Sequence, residues 1–63
     1  MTEYLKYLAS QIETERKKLI ENLGEGVAKD HGEYKHICGT VRGLLIANSF
    51  IEDLIRKMEQ SDE

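Results

Sequence analysis

The feature that most constrains this chain is a heptad pattern of large side chains between positions 34 and 58. The positions alternate between spacings of three and four residues for more than three repeats, which is typical of a helix that packs along a narrow seam. The pattern predicts one long helix over about residues 31–59. Its seam residues are Tyr34, Ile37, Val41, Leu44, Asn48, Ile51, Ile55 and Met58.

The first third of the chain shows a second amphipathic pattern. Apolar residues recur mostly at helical spacing, which predicts a helix over about residues 3–23 with one apolar face. They are Leu5, Leu8, Ile12, Leu19, Leu23 and Val27, and the stripe is widened by Tyr4, Tyr7 and Ile20. Arg16 occupies the turn where another apolar residue is expected, and the Thr2 hydroxyl is expected to cap the helix.

The segment 24–30 separates the two patterns. Gly24 is expected to end the first helix, because glycine adopts the left-handed conformation without a steric penalty. Asp30 followed by Glu33 fits a capping box that starts the second helix at about residue 31. In the alternative, the first helix continues through Gly24 and turns at Gly32. Both interpretations give one all-α domain over residues 1–63, an antiparallel helical hairpin with a frayed tail at residues 60–63.

A chain of 63 residues can bury only a small core, and chains of this size often need a disulfide, a metal or a partner chain. Cys38 is the single cysteine, so no disulfide forms within the chain. A single thiol also fits a reducing compartment. Oligomerisation is the remaining remedy, and we expect two hairpins to dimerise into a four-helix bundle.

A second set of small and apolar residues lies off the seam of the second helix: Gly39, Gly43, Ile46, Ala47, Phe50 and Leu54. A helix that is apolar on two sides is usually buried on two sides. The spacing of Gly39 and Gly43 indicates a close crossing with another helix, and Asn48 in the seam suggests a buried amide that fixes register and oligomer number. The alternatives are that the glycines are exposed and that Asn48 faces solvent.

Chemical motifs are weak. His31, His36 and Cys38 lack the spacing that would direct three ligands at one metal ion, no phosphate-binding loop is present, and a two-helix hairpin is expected to offer no sizeable pocket. We therefore expect a non-enzymatic protein without cofactors.

The net charge of −3 disfavours general affinity for nucleic acid. A basic face of Arg16, Lys17, Lys35 and Arg42 nevertheless leaves structured RNA open as a partner. In the alternative, the basic residues of the first helix belong to a solvated face, paired with nearby glutamates.

The chain has no apolar run of transmembrane length and no basic segment before an apolar one at its start, so neither a membrane span nor a signal peptide is expected. The run EYKHICGTVRGLL resembles small helical-hairpin proteins encoded in tailed-bacteriophage genomes. The matching positions are Tyr34, Gly39, Arg42, Gly43 and Leu44. The resemblance implies a minor virion component, located in the virion or the host cytoplasm. The alternative is a small homodimeric regulator that binds a host protein or structured nucleic acid.

Overall fold

Two α-helices form the structure, a computed structural model that describes residues 1–61. Helix α1 spans Thr2–Gly24 and helix α2 spans His31–Ser61. These bounds confirm the all-helical hairpin, with α1 ending at Gly24 rather than continuing to Gly32. The predicted tail at residues 60–63 needs a correction, because Gln60 and Ser61 continue α2. Positions 62 and 63 of that predicted tail lie outside the described residues.

The N-terminus of α1 differs from the prediction. Met1 occupies the N-cap position and no side chain caps the helix, so Thr2 is the first helical residue and not the cap. Glu3 places a carboxylate in the first turn, where it interacts favourably with the positive end of the helix dipole. The helix therefore begins without a side-chain cap but with a charge that favours this end.

The end of α1 is a Schellman motif with a different glycine from the one predicted. Gly26, not Gly24, adopts positive φ, at 79°. The Gly26 amide donates to the Leu23 carbonyl at 3.1 Å, and the Val27 amide donates to the Asn22 carbonyl at 3.1 Å. These two bonds satisfy carbonyls that the last helical turn leaves free. The sequence pattern identified the segment but missed the position, because either glycine suits a left-handed residue.

Asp30 caps α2. The Glu33 amide donates to the Asp30 carboxylate at 2.8 Å, and the Glu33 carboxylate accepts from the Lys29 amide at 3.3 Å. A capping box has the return bond at the N-cap amide, so here the glutamate reaches one residue further back. The local sequence thus fixes the start of α2 at His31.

The hairpin is antiparallel and elongated, measuring 51 × 15 × 12 Å. The Lys6 ammonium meets the Glu59 carboxylate at 2.8 Å across the open end, although the two residues are 53 positions apart in sequence. The core between the helices is thin. Only Ala9, Asn48 and Ile55 are buried among the described residues, and no large side chain there is fully enclosed.

Candidate interaction surfaces

The predicted seam of α2 lies along the inner side of the hairpin. From Ile37 to Met58 its members are buried or half-buried, and α1 is the only other described element that can cover them. Tyr34, at the turn end, is half exposed. The heptad pattern is therefore occupied by contacts within one chain, and a partner would have to use other surfaces.

Helix α1 contributes a matching seam, which differs from the predicted apolar stripe between Leu5 and Leu23 at one position besides Arg16. The prediction used Leu8, but Leu8 is exposed and the adjacent Ala9 is buried. With Ala9 in place, the inner positions of α1 repeat at spacings of four and three, as in α2. They are Leu5, Ala9, Ile12, Arg16, Leu19 and Leu23. The regular spacing would have identified Ala9, but its small side chain made Leu8 the apparent choice.

Arg16 shows how the seam accommodates a charge. Its guanidinium binds Glu13 in two places, Nε to Oε2 at 2.9 Å and Nη2 to Oε1 at 2.5 Å. The hydrogen bond from Arg16 lowers the pKa of the Glu13 carboxyl, and the opposing burial is weaker. The same bond raises the pKa of Arg16. Both side chains are partly buried, so this pair neutralises two charges at the margin of the core.

Asn48 is buried, with 6% of its surface exposed. This overturns the alternative in which Asn48 faces solvent. Its Oδ1 is enclosed and has no hydrogen-bond partner among the described residues. A buried carbonyl without a donor costs about 1–3 kcal/mol, so the enclosed Asn48 side chain destabilises the fold.

A groove of about 700 Å³ runs beside Asn48 between the two helices. This corrects the expectation that a hairpin offers no sizeable pocket, because the small Ala9 and Ser10 side chains leave space where the helices meet. The lining residues are Lys6, Ala9, Ser10, Glu13, Asn48, Glu52, Ile55 and Arg56. We call this side of the hairpin the groove side.

Most charges of the groove are already paired. Lys6 binds Glu59, Glu13 binds Arg16, and Arg56 binds Asp53. The bond to Glu59 raises the pKa of Lys6. Glu52 makes no ion pair within residues 1–61. Ser10 supplies the only hydroxyl among the residues that line the groove, and none of these residues is a histidine.

The opposite side of the hairpin carries a group of exposed apolar residues. Successive helical residues turn by about 100°, so the residues on either side of a buried position point to opposite sides. Ser10 and Arg56, which follow the buried Ala9 and Ile55, line the groove. The residues that precede buried positions, Leu8, Ala47 and Leu54, therefore lie on the other side. Tyr4 and Phe50 share that side because they precede the seam residues Leu5 and Ile51. We define the apolar face as Tyr4, Leu8, Ala47, Phe50 and Leu54, all of them exposed.

The exposure of the apolar face is large. Tyr4 is 79% exposed and Phe50 is 67% exposed, while Leu8 and Leu54 are exposed by more than two fifths. Single exposed apolar residues are common, but a contiguous group on one side of a small protein marks an interaction site. This face contains three of the six residues that the sequence analysis placed off the α2 seam, and α1 adds Tyr4 and Leu8.

Gly39 and Gly43 lie away from α1. A Cβ at either position would meet nothing within 4 Å, so no close crossing with α1 requires these glycines. Their role in a contact with another chain stays a prediction. Gly43 lies near the apolar face at helical spacing from Ala47, whereas Gly39 is further round the outer side of α2.

The four predicted basic residues differ in their surroundings. Arg16 is engaged with Glu13 at the inner margin, while Lys17, Lys35 and Arg42 are exposed. Lys35 and Arg42 lie seven residues apart on α2, which separates them by roughly 10 Å along the axis. Lys17, Lys35 and Arg42 each follow a seam residue, as Ser10 and Arg56 follow Ala9 and Ile55, so they share the groove side. A basic face that binds structured RNA stays a prediction.

The turn end brings together three residues noted in the sequence. The rings of His31 and Tyr34 stack with centroids 6.3 Å apart. A hydrogen bond with the Cys38 thiol raises the pKa of Tyr34, and Cys38 is half-buried as a free thiol. Within the described part of the chain, no group of three or more His, Cys, Asp or Glu residues could hold a metal ion.

No protein family matches the sequence, and no curated protein or solved structure matches it significantly. Neither helix, over the residues described, has a stretch long and apolar enough to cross a membrane.

Proposed function

We propose that this chain is a non-enzymatic structural or interaction protein that binds protein through its apolar face. The observation that carries the proposal is the exposure of Tyr4, Leu8, Phe50 and Leu54 on one side of a hairpin. Leaving this much apolar surface in water is unfavourable, at about 25 cal/mol for each Å². A protein partner that covers the face removes that cost.

The chain works as an oligomer or as a subunit on a larger assembly. The hairpin has few buried side chains of its own, as expected for a fold completed by another chain. The ion pairs gather on the groove side, so the two broad sides differ in chemistry. This division suits a subunit that docks with one side and presents the other to solvent.

A minor virion component of a tailed bacteriophage is the specific role we propose. The support is the resemblance carried by Tyr34, Gly39, Arg42, Gly43 and Leu44, together with the unpartnered apolar face. The test is quantitative mass spectrometry of gradient-purified particles of the phage that encodes this chain. We expect a fixed copy number relative to the major capsid protein.

Absence of the chain from washed particles would refute the virion role and favour the regulator. In that case, this chain would be used as the bait in pull-down experiments from infected cells, at low salt and at high salt. Binding through the apolar face should survive salt, whereas binding of structured nucleic acid through Lys17, Lys35 and Arg42 should weaken steeply.

A further inference from the structure

We propose that the partner of the apolar face is a second copy of this chain, paired face to face across a two-fold axis into a four-helix bundle. This inference rests on the proposed function, because it names the partner of the same face. It also assigns the interface to Tyr4, Leu8, Ala47, Phe50 and Leu54 rather than to the heptad seam, which α1 already covers.

The surface area gives the first argument. The chain exposes 5025 Å², whereas a compact folded monomer of 7.3 kDa exposes about 4,200 Å². The excess is roughly 800–900 Å². A standard protein–protein interface buries about 800 Å² on each partner, so covering one broad side with a single copy would bring the exposure to that of an ordinary folded protein.

The second argument is that several side chains between the two helices are only partly buried. Ile12, Ile51 and Met58 are only half-buried, and their helical positions lean toward the apolar face rather than the groove. A second hairpin on this face would enclose their exposed parts. Two hairpins that pack through this face with helix axes about 8–10 Å apart would form a four-helix bundle.

The distribution of charge gives the third argument. The chain carries a net charge of −3, so two copies repel each other unless their charges stay apart. The ion pairs of Lys6, Glu13 and Arg56 lie on the groove side, which faces outward in this dimer. Glu15, Lys18 and Lys57 each precede a seam residue, so these exposed charges flank the apolar face. Glu15→Leu adds apolar surface there and should therefore tighten the dimer.

The test is the solution mass by light scattering after size exclusion, at micromolar concentration and physiological salt. We expect twice the chain mass of 7.3 kDa for the wild type. Phe50→Glu and Leu54→Glu should each weaken dimerisation at least about 100-fold, because each substitution removes an apolar contact twice in a symmetric dimer. Glu15→Leu should strengthen dimerisation.

The matched control is Leu45→Glu. Leu45 is 51% exposed, close to the 47% of Leu54, but it lies on the groove side of α2. Its replacement should leave the dimer intact. Equal losses of mass for Leu45→Glu and Leu54→Glu would overturn the assigned interface, and a wild-type mass above that of a dimer would overturn the closed two-fold bundle.

Circular dichroism separates this proposal from the proposed function. A poorly helical wild-type monomer would overturn the second copy as partner, while leaving the apolar face to a different protein. A fully helical monomer whose melting temperature is unaffected by Phe50→Glu and Leu54→Glu, and which captures no protein in the pull-down, would overturn both.

Discussion

Replacement of Asn48 by leucine is the most direct test of how this hairpin is stabilised. The Asn48 Oδ1 is enclosed without a donor, and a buried unsatisfied carbonyl costs about 1–3 kcal/mol. Leucine removes that acceptor and adds apolar surface beside Ile55, while the adjoining groove gives the branched side chain room. We therefore expect Asn48→Leu to raise the free energy of unfolding by about 1–3 kcal/mol.

For a chain of this size, each kcal/mol shifts the melting temperature by about 4–8 °C, so a rise of at least about 4 °C is expected. The assay is thermal unfolding by circular dichroism at several protein concentrations, because the stability of a dimer depends on concentration. Light scattering on the same samples reports the mass. If Asn48 also fixes the pairing geometry, the variant should show mixed oligomers as well as a higher melting temperature.

The control is the other asparagine of the chain, Asn22, which is half-buried near the end of α1. Its side chain is not among the buried groups that lack a partner, so Asn22→Leu should change stability by no more than about 0.5 kcal/mol. A melting temperature for Asn48→Leu that is unchanged or lower would refute the reasoning, since it would mean that Oδ1 receives a hydrogen bond in solution.

Two further comparisons test the backbone and the ion pair. Gly39→Ala should raise the free energy of unfolding by about 0.5–1 kcal/mol, because a Cβ there meets nothing within 4 Å and alanine is the better helix former. Gly26→Ala should lower the free energy of unfolding by about 1–2 kcal/mol, because Gly26 has a φ of +79° and a Cβ is strained in the left-handed conformation. Urea unfolding measures both, and equal effects would argue against the assigned cap. Because Arg16 lowers the pKa of folded Glu13, stabilisation by this pair is present above the unfolded pKa of about 4.3 and lost as pH falls through the lower folded value. Glu13→Gln should flatten the loss of stability below about pH 5, and parallel pH profiles would contradict this.

The helices themselves were predictable because their signals are local. The alternating spacing from Ile37 to Met58 and the Asp30–Glu33 pair define α2 within the sequence, and the structure places its start at His31. The cap of α1 was less predictable. Gly24 and Gly26 both tolerate the left-handed conformation, and only the hydrogen bonds from Gly26 and Val27 decide between them.

The surfaces were harder to predict because a wide apolar stripe does not say which of its residues face inward. Leu8 and Ala9 are neighbours in sequence. The larger Leu8 was predicted to face inward, but Ala9 is the buried residue and Leu8 is exposed. The interhelical distance decides such cases, because alanine permits the close approach that leucine prevents. The groove beside Ala9 and Ser10 follows from the same choice and has no signature of its own in the sequence.

The sequence by itself determined the two helices, their antiparallel connection and the presence of more apolar residues than one hairpin can bury, since periodicity and capping act over a few residues. Tertiary structure decided which of those residues remain exposed. Packing α1 on the heptad seam buried Asn48 and Ile55, left Tyr4 and Phe50 in solvent, and put the ion pairs on the other side. That division depends on how two helices rotate about their axes on contact, which is set by side chains far apart in the chain.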